Sequence, residues 1–179
     1  VGVHGSTLAA CQTRIKGFAT LTRQSSAKSK ICLRPLKSAD LSVLAELWAA
    51  SWQEAMPGID FVARLQWFFD HMRSLHATGS VTVCAIDGSG SIVGFVSVDP
   101  ISAYLDQLAV APAAKGKGVA RLLLNEARRI SPKGIVLEVN EDNQRALAFY
   151  KREGFVQNSE GVNPLSGLKT LLLRRPGSS

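Results

Sequence analysis

The sequence is short of the residues from which metal centres and disulfide scaffolds are built. Its three cysteines, Cys11, Cys32 and Cys84, are an odd number with no C-x-x-C pair among them. This rules against a disulfide framework and a thiolate zinc site, and it points to reduced thiols in a cytoplasmic setting. The three histidines, His4, His71 and His76, have no companion ligands at metal-binding spacing. They read as surface or core side chains, and no metal is expected. No apolar run approaches the roughly 20 residues of a membrane span, so no membrane role is expected. Acidic residues are missing from residues 1–30, which hold Arg14, Lys16, Arg23, Lys28 and Lys30. Of the net charge of +7, that segment supplies +5 and the rest of the chain only +2. The basic balance is therefore a property of the first segment, and a nucleic-acid-binding domain surface is not required. Residues 1–30 read as a disordered basic tail or N-terminal extension, and residues 31–175 as one domain.

What is present is an alternation of strand and helix patterns. Ile31–Leu36 reads as a strand, with Ser38 or Asp40 as a cap for the helix that follows through Leu41, Leu44, Leu47 and Trp48. After a Pro-Gly break at 57–58, Phe61, Leu65, Phe68 and Met72 form one helical stripe. Val81–Ile86 and Ser91–Val98 are strands joined by Asp87-Gly-Ser-Gly90, a hairpin signal. Ala103–Val110, Ile135–Val139, Phe155–Asn158 and Lys169–Leu173 complete the strands. Helices fall on a stripe of Val119, Leu122, Leu123, Ala127 and Ile130, and on Asn143–Arg152. Gly154 follows as a helix stop. The result is one α/β (α+β) domain.

The stretch from Leu105 to Arg121 organises the rest. Leu108, Ala109 and Val110 form a buried strand, and Pro112 ends it because it has no N–H to donate. Gly116 and Gly118 let the backbone approach a bulky ligand. A helix N-terminus then presents unpaired amides, which suit an anion. Lys115, Lys117 and Arg121 add positive charge, so the segment reads as a pyrophosphate cradle. It is not a P-loop, since no Gly-Lys is followed by Ser or Thr, and only two of the three glycines of a dinucleotide fingerprint are present.

Val110-x-Pro112-x-x-Lys115-Gly116-Lys117-Gly118-Val119-Ala120 resembles the acyl-CoA-binding motif of the GCN5-related N-acetyltransferase (GNAT) superfamily, [RQ]-x-x-G-x-[GA]. Lys115 stands where that pattern has Arg or Gln. A second segment, Leu137-Glu-Val running to Phe149-Tyr150 and Gly154-Phe155, is similar to the family's LEV…N…A…FY…GF stretch. The resemblance implies a GNAT-like fold, a mixed, mostly antiparallel sheet of about seven strands flanked by about four helices.

It also implies acetyl-CoA as cosubstrate, an amine acceptor, and no covalent enzyme intermediate. On this reading the backbone of Leu108, Ala109 and Val110 pairs with the pantetheine arm. Lys115, Gly116, Lys117, Gly118, Val119, Ala120 and Arg121 hold the pyrophosphate. Asn143 bonds the arm, and Tyr150 protonates the departing thiolate. Glu138 and Asp106 are the candidate general bases, Glu138 slightly ahead, with a water chain as a third route. Trp52, Met56, Asp60, Phe61 and residues near Asn163 are candidates for the acceptor pocket, although Asp60 equally suits a helix cap. A CoA-binding sensor without catalysis is the competing function, a nucleic-acid binder acting through the basic segment is a third, and a homodimer is left open.

Overall fold

The computed structural model describes residues 31–163 and 166–177. The expected tail over residues 1–30, and Pro164 of the late loop, lie outside them. The elements follow the expected order: β1 Cys32–Pro35, α1 Leu41–Ala55, α2 Leu65–Ala77, β2 Val81–Ile86, β3 Ile92–Val98, β4 Leu105–Val110, α3 Val119–Ile130, β5 Gly134–Asn140, α4 Gln144–Arg152, β6 Val156–Val162 and β7 Lys169–Pro176. The mixed α/β class is as the residues implied. The seven strands are, however, divided between two antiparallel sheets, ordered β1-β2-β3-β4 and β5-β7-β6.

The two sheets meet at one point. Tyr104 forms a parallel bridge with Val136, and the Val136 N–H donates to the Ala103 carbonyl at 2.9 Å. Beyond that bridge β4 pairs only with β3, from Leu105 to Val110. Its other edge is open where β4 and β5 part. Ala103, with φ of 62°, turns the chain just before the strand, which is why β4 begins at Leu105 rather than at Ala103.

Strand side chains alternate between faces, and the first sheet uses both. Val83, Ala85, Val96, Val98 and Val110 pack under α3 against Val119, Leu123, Leu124 and Ala127. Cys84, Phe95 and Ala109 face the other way, onto Leu44, Trp48, Phe68 and Met72 of α1 and α2. The buried stripe of α3 thus runs through Leu124, whereas Leu122 lies on the helix flank and is half-buried. α3 approaches β3 so closely that a Cβ on Gly94 would stand 2.9 Å from the Ala109 carbonyl oxygen and 3.0 Å from Leu123 Cδ1. This packing sets the N-terminus of α3 beside the end of β4.

Two helix starts differ from the sequence expectation. Neither Ser38 nor Asp40 caps α1 with its side chain. The Asp40 carboxylate instead accepts two hydrogen bonds from Arg34, at 2.6 and 2.9 Å, and one from the Lys37 N–H. Helix α2 begins at Leu65, not Phe61. The Asp60 carboxylate accepts the Ala63 N–H at 3.0 Å and holds the preceding residues in turns. Phe61 is still buried, edge-on to Trp48 and stacked on Trp52.

Candidate active site

A cavity of about 360 Å³ lies between the parting sheets, under the N-terminus of α3 and beside α4. The glycines of the cradle shape one end. Gly116 and Gly118 have φ of 78° and 84°, a region that other residues enter at a cost. A Cβ at either would meet nothing within 4 Å, so the space in front of them is open. Among the described residues, the amides of Gly116, Gly118, Val119, Ala120 and Arg121 find no hydrogen-bond acceptor. From Gly118 to Arg121 these N–H groups lack partners because a helix cannot satisfy its own first amides, and Gly116 lies in the loop just before it. A diphosphate fits this row.

The cations are arranged less simply. Lys115, Arg121, Arg145 and Arg152 line the same cavity. Lys115 is only 18% exposed and pairs with Glu54 of α1 at 3.1 Å, and Arg145 reaches the same carboxylate at 3.3 Å. Arg121 pairs with Glu153 at 2.8 Å. Of the expected side-chain charges, Lys115 and Arg121 are therefore held by carboxylates, Lys117 and the lining Arg152 form no ion pair among the described residues, and the amides face open space. Lys117 is exposed on the loop and does not line the cavity. The side chain of Ala109 also lies outside it, packed toward α1 and α2, so Ala109 can serve only through its backbone.

Asn143 proves to be the N-cap of α4: its Oδ1 accepts the Ala146 N–H at 3.1 Å. This fixes the amide at the cavity wall and leaves its Nδ2 to donate. Two turns on, Tyr150 is 7% exposed, its ring set between Phe149 and Phe155 at 5.1 and 5.2 Å. It lines the same cavity, and its hydroxyl has no hydrogen-bond partner among the described residues. Burial pushes the phenol well above its ordinary value, so it stays protonated.

A second cavity, of about 460 Å³, opens on the other side of β4. Its walls include Trp48, Trp52, Phe61 and Trp67, with Met56 and Ile59. The two cavities share Trp52, Asp106 and Glu138. Both candidate bases therefore stand at the junction. Asp106 Oδ1 is held by His71 Nε2 at 2.7 Å and by Gln107 Nε2 at 2.8 Å. Glu138 is exposed and accepts one long bond, from Thr170 Oγ1 at 3.4 Å. Tyr104 also faces the junction. Burial first, then the charges of Glu138 and Asp106, push its pKa up to about 12. Of the expected acceptor-site residues, Trp52, Met56, Phe61 and Asn163 line this second cavity, whereas Asp60 lines neither.

His71 was missed by the sequence reading, as were Tyr104, Gln107 and Arg145. His71 stacks on Trp67 with centroids 4.6 Å apart, which holds the imidazole plane toward Asp106. The two partners are 35 residues apart on different elements, so no local pattern could join them. No group of three or more His, Cys, Asp or Glu residues suited to a metal occurs among the described residues.

Comparison with known proteins gives the same picture. The model of the acetyltransferase (GNAT) family matches residues 41–155. A mycothiol acetyltransferase of Jonesia denitrificans is 33% identical over 150 residues, covering 74% of this chain and 45% of that protein. The peptidyl-lysine N-acetyltransferase YjaB of Salmonella typhimurium is 32% identical over 71 residues, covering 40% of this chain and 47% of that protein. The chain thus spans less than half the length of these curated relatives. The apo-form structure of YjaB from Escherichia coli matches with a TM-score of 0.68 at 25% identity, over 83% of this chain and 99% of that one. With the family match running from the first residue of α1 through the cradle, the open strand edge and Tyr150 to Phe155, the chain belongs to the acetyltransferase (GNAT) family.

Proposed function

We propose that this chain is an acetyl-CoA-dependent N-acetyltransferase that passes an acetyl group directly to a primary amine. One observation carries the reading: a cavity with an anion cradle and a protonated phenol meets an aromatic cavity at a pair of carboxylates. The amides from Gly116 to Arg121 hold the diphosphate, and the open edge of β4 from Asp106 to Val110 pairs with the pantetheine amides. The thioester is thereby set at the junction, opposite an amine in the second cavity. Holding both reactants in place removes much of the entropic barrier.

The amine arrives as an ammonium and is drawn to the junction carboxylates. Asp106 has Oδ1 filled by two donors, which leaves Oδ2 for the ammonium. Glu138 is exposed and nearly free of hydrogen bonds, so it takes the proton and returns it to water. The nitrogen lone pair attacks the thioester carbonyl carbon and an N–C bond forms. Free backbone N–H groups on the β4 edge stabilise the oxyanion. The C–S bond then breaks with its electron pair on sulfur. Tyr150 passes its proton to that sulfur as charge builds there, and the second proton lost by the nitrogen returns through water to the Tyr150 oxygen. The products are the amide and free CoA thiol, with one proton released.

The relatives named above are acetyltransferases, which supports the same chemistry here. Incubation with acetyl-CoA and a panel of amines, followed by thiol release and mass detection of product, tests the proposal. Acetylated amine is the expected result. Tight CoA binding with no product from any amine would replace the transferase with a non-catalytic CoA-binding module.

A further inference from the structure

Building on the transferase reading, we infer that the acceptor is a small amine carrying a carboxylate at its far end, and that Arg64 binds that carboxylate. Among the described residues, Arg64 is the one Lys or Arg side chain lining the aromatic cavity. It forms no salt bridge or hydrogen bond among the described residues, and its guanidinium lies 5.9 Å from the centroid of the Phe61 ring. Of the cations lining the other cavity, Lys115, Arg121 and Arg145 each have a carboxylate partner, and Arg152 has none among the described residues.

The spacing follows from α2. Arg64, the residue just before α2, and Trp67 and His71 within it stand at i, i+3 and i+7. Seven residues of helix separate Arg64 from His71 by about 10 Å along the axis. His71 is bonded to Asp106, so the face runs from a free guanidinium, over an indole, to the carboxylate end where the reaction occurs. An amine lying along this face puts its nitrogen at Asp106, its apolar body on Trp67 and an anion on Arg64. A diamine fits poorly, since its second ammonium would meet Arg64.

The test compares a benzylamine bearing a para-carboxymethyl group with its neutral para-ethyl analogue. It is repeated with omega-amino carboxylates of increasing length, the matching alkylamines and the matching diamines. The carboxylated acceptor is expected to exceed the neutral one in kcat/KM by roughly ten- to a hundredfold. Arg64→Gln brings that ratio to about one, and Arg64→Lys restores part of it. Calorimetric affinities of the same amines for the CoA-loaded protein give a second readout. If no amine is acetylated, the transferase reading fails while the affinity ratio still decides the role of Arg64. Equal ratios in the wild type and Arg64→Gln, or diamines as the best acceptors, would overturn the inference.

Discussion

Tyr150 stands or falls by a single oxygen atom. Its ring is core to Phe149 and Phe155, and its hydroxyl faces the cavity without a partner. Tyr150→Phe keeps the packing and removes the donor. It is predicted to lower kcat by about a hundredfold or more, with KM for acetyl-CoA little changed, in steady-state assays. Full activity in that variant would hand protonation of the thiolate to water. The buried thiol of Cys84 makes a separate prediction. Burial, then the charge of Asp40, pushes its pKa up to about 11. An alkylating reagent at mildly alkaline pH is expected to label exposed Cys32 and to spare Cys84 until denaturant is added, as read by peptide mass mapping. The same shift sets a sign for stability. An unfolded thiol ionises at about 8.5 and an unfolded tyrosine at about 10, below the folded values of about 11 for Cys84 and about 12 for Tyr104. The unfolded chain therefore releases these protons first. The stabilisation from both groups is intact below about 8.5 and is lost as pH rises toward 12. The urea midpoint is expected to fall over that range.

At the scale of elements, the contact between α3 and β3 sets the cradle. Gly94→Ala places a methyl group between the Ala109 carbonyl and the side chains of Leu123 and Val119. Two of the three neighbours belong to α3, so relief requires moving that helix. A loss of about 1–3 kcal/mol in denaturant unfolding is expected, together with weaker CoA binding, because the displaced helix carries the free amides. Gly118→Ala acts differently. Its methyl group would meet open space, so the cost is conformational, about 1–2 kcal/mol for a left-handed residue. The new methyl group would also stand where a ligand approaches the amides. The loss of CoA affinity measured by calorimetry is therefore expected to exceed what the stability change explains.

Across the whole molecule, Glu54 ties α1 to both walls of the donor cavity through Lys115 and Arg145. Glu54 is 45% exposed, and partly exposed pairs contribute little to stability, about 0–1 kcal/mol. Their effect on an incoming anion is larger, because a carboxylate beside the cradle opposes the phosphates. Glu54→Gln is predicted to leave the melting temperature nearly unchanged and to tighten CoA binding severalfold, with a steeper dependence on salt as the freed cations engage the ligand. Calorimetry at two ionic strengths measures both. An unchanged affinity would mean that Lys115 and Arg145 do not reach the phosphates.

The order of strands and helices, the hairpin at residues 87–90 and the glycine cradle were legible in the chain itself, because periodicity, turn residues and helix starts are local properties. The family motifs added Asn143 and Tyr150, both of which line the first cavity. Long-range matters were beyond local pattern. The division of seven strands into two sheets depends on β4 and β5 sharing only the bridge at Tyr104 and Val136. The pairing of His71 with Asp106, and of Lys115 with Glu54, joins side chains on different elements. Sequence alone determined the order of the elements and the left-handed glycine turn before α3, since both follow from neighbours along the chain. Only the tertiary structure decided which charges are free, because an ion pair depends on distance in space and not on spacing in the chain.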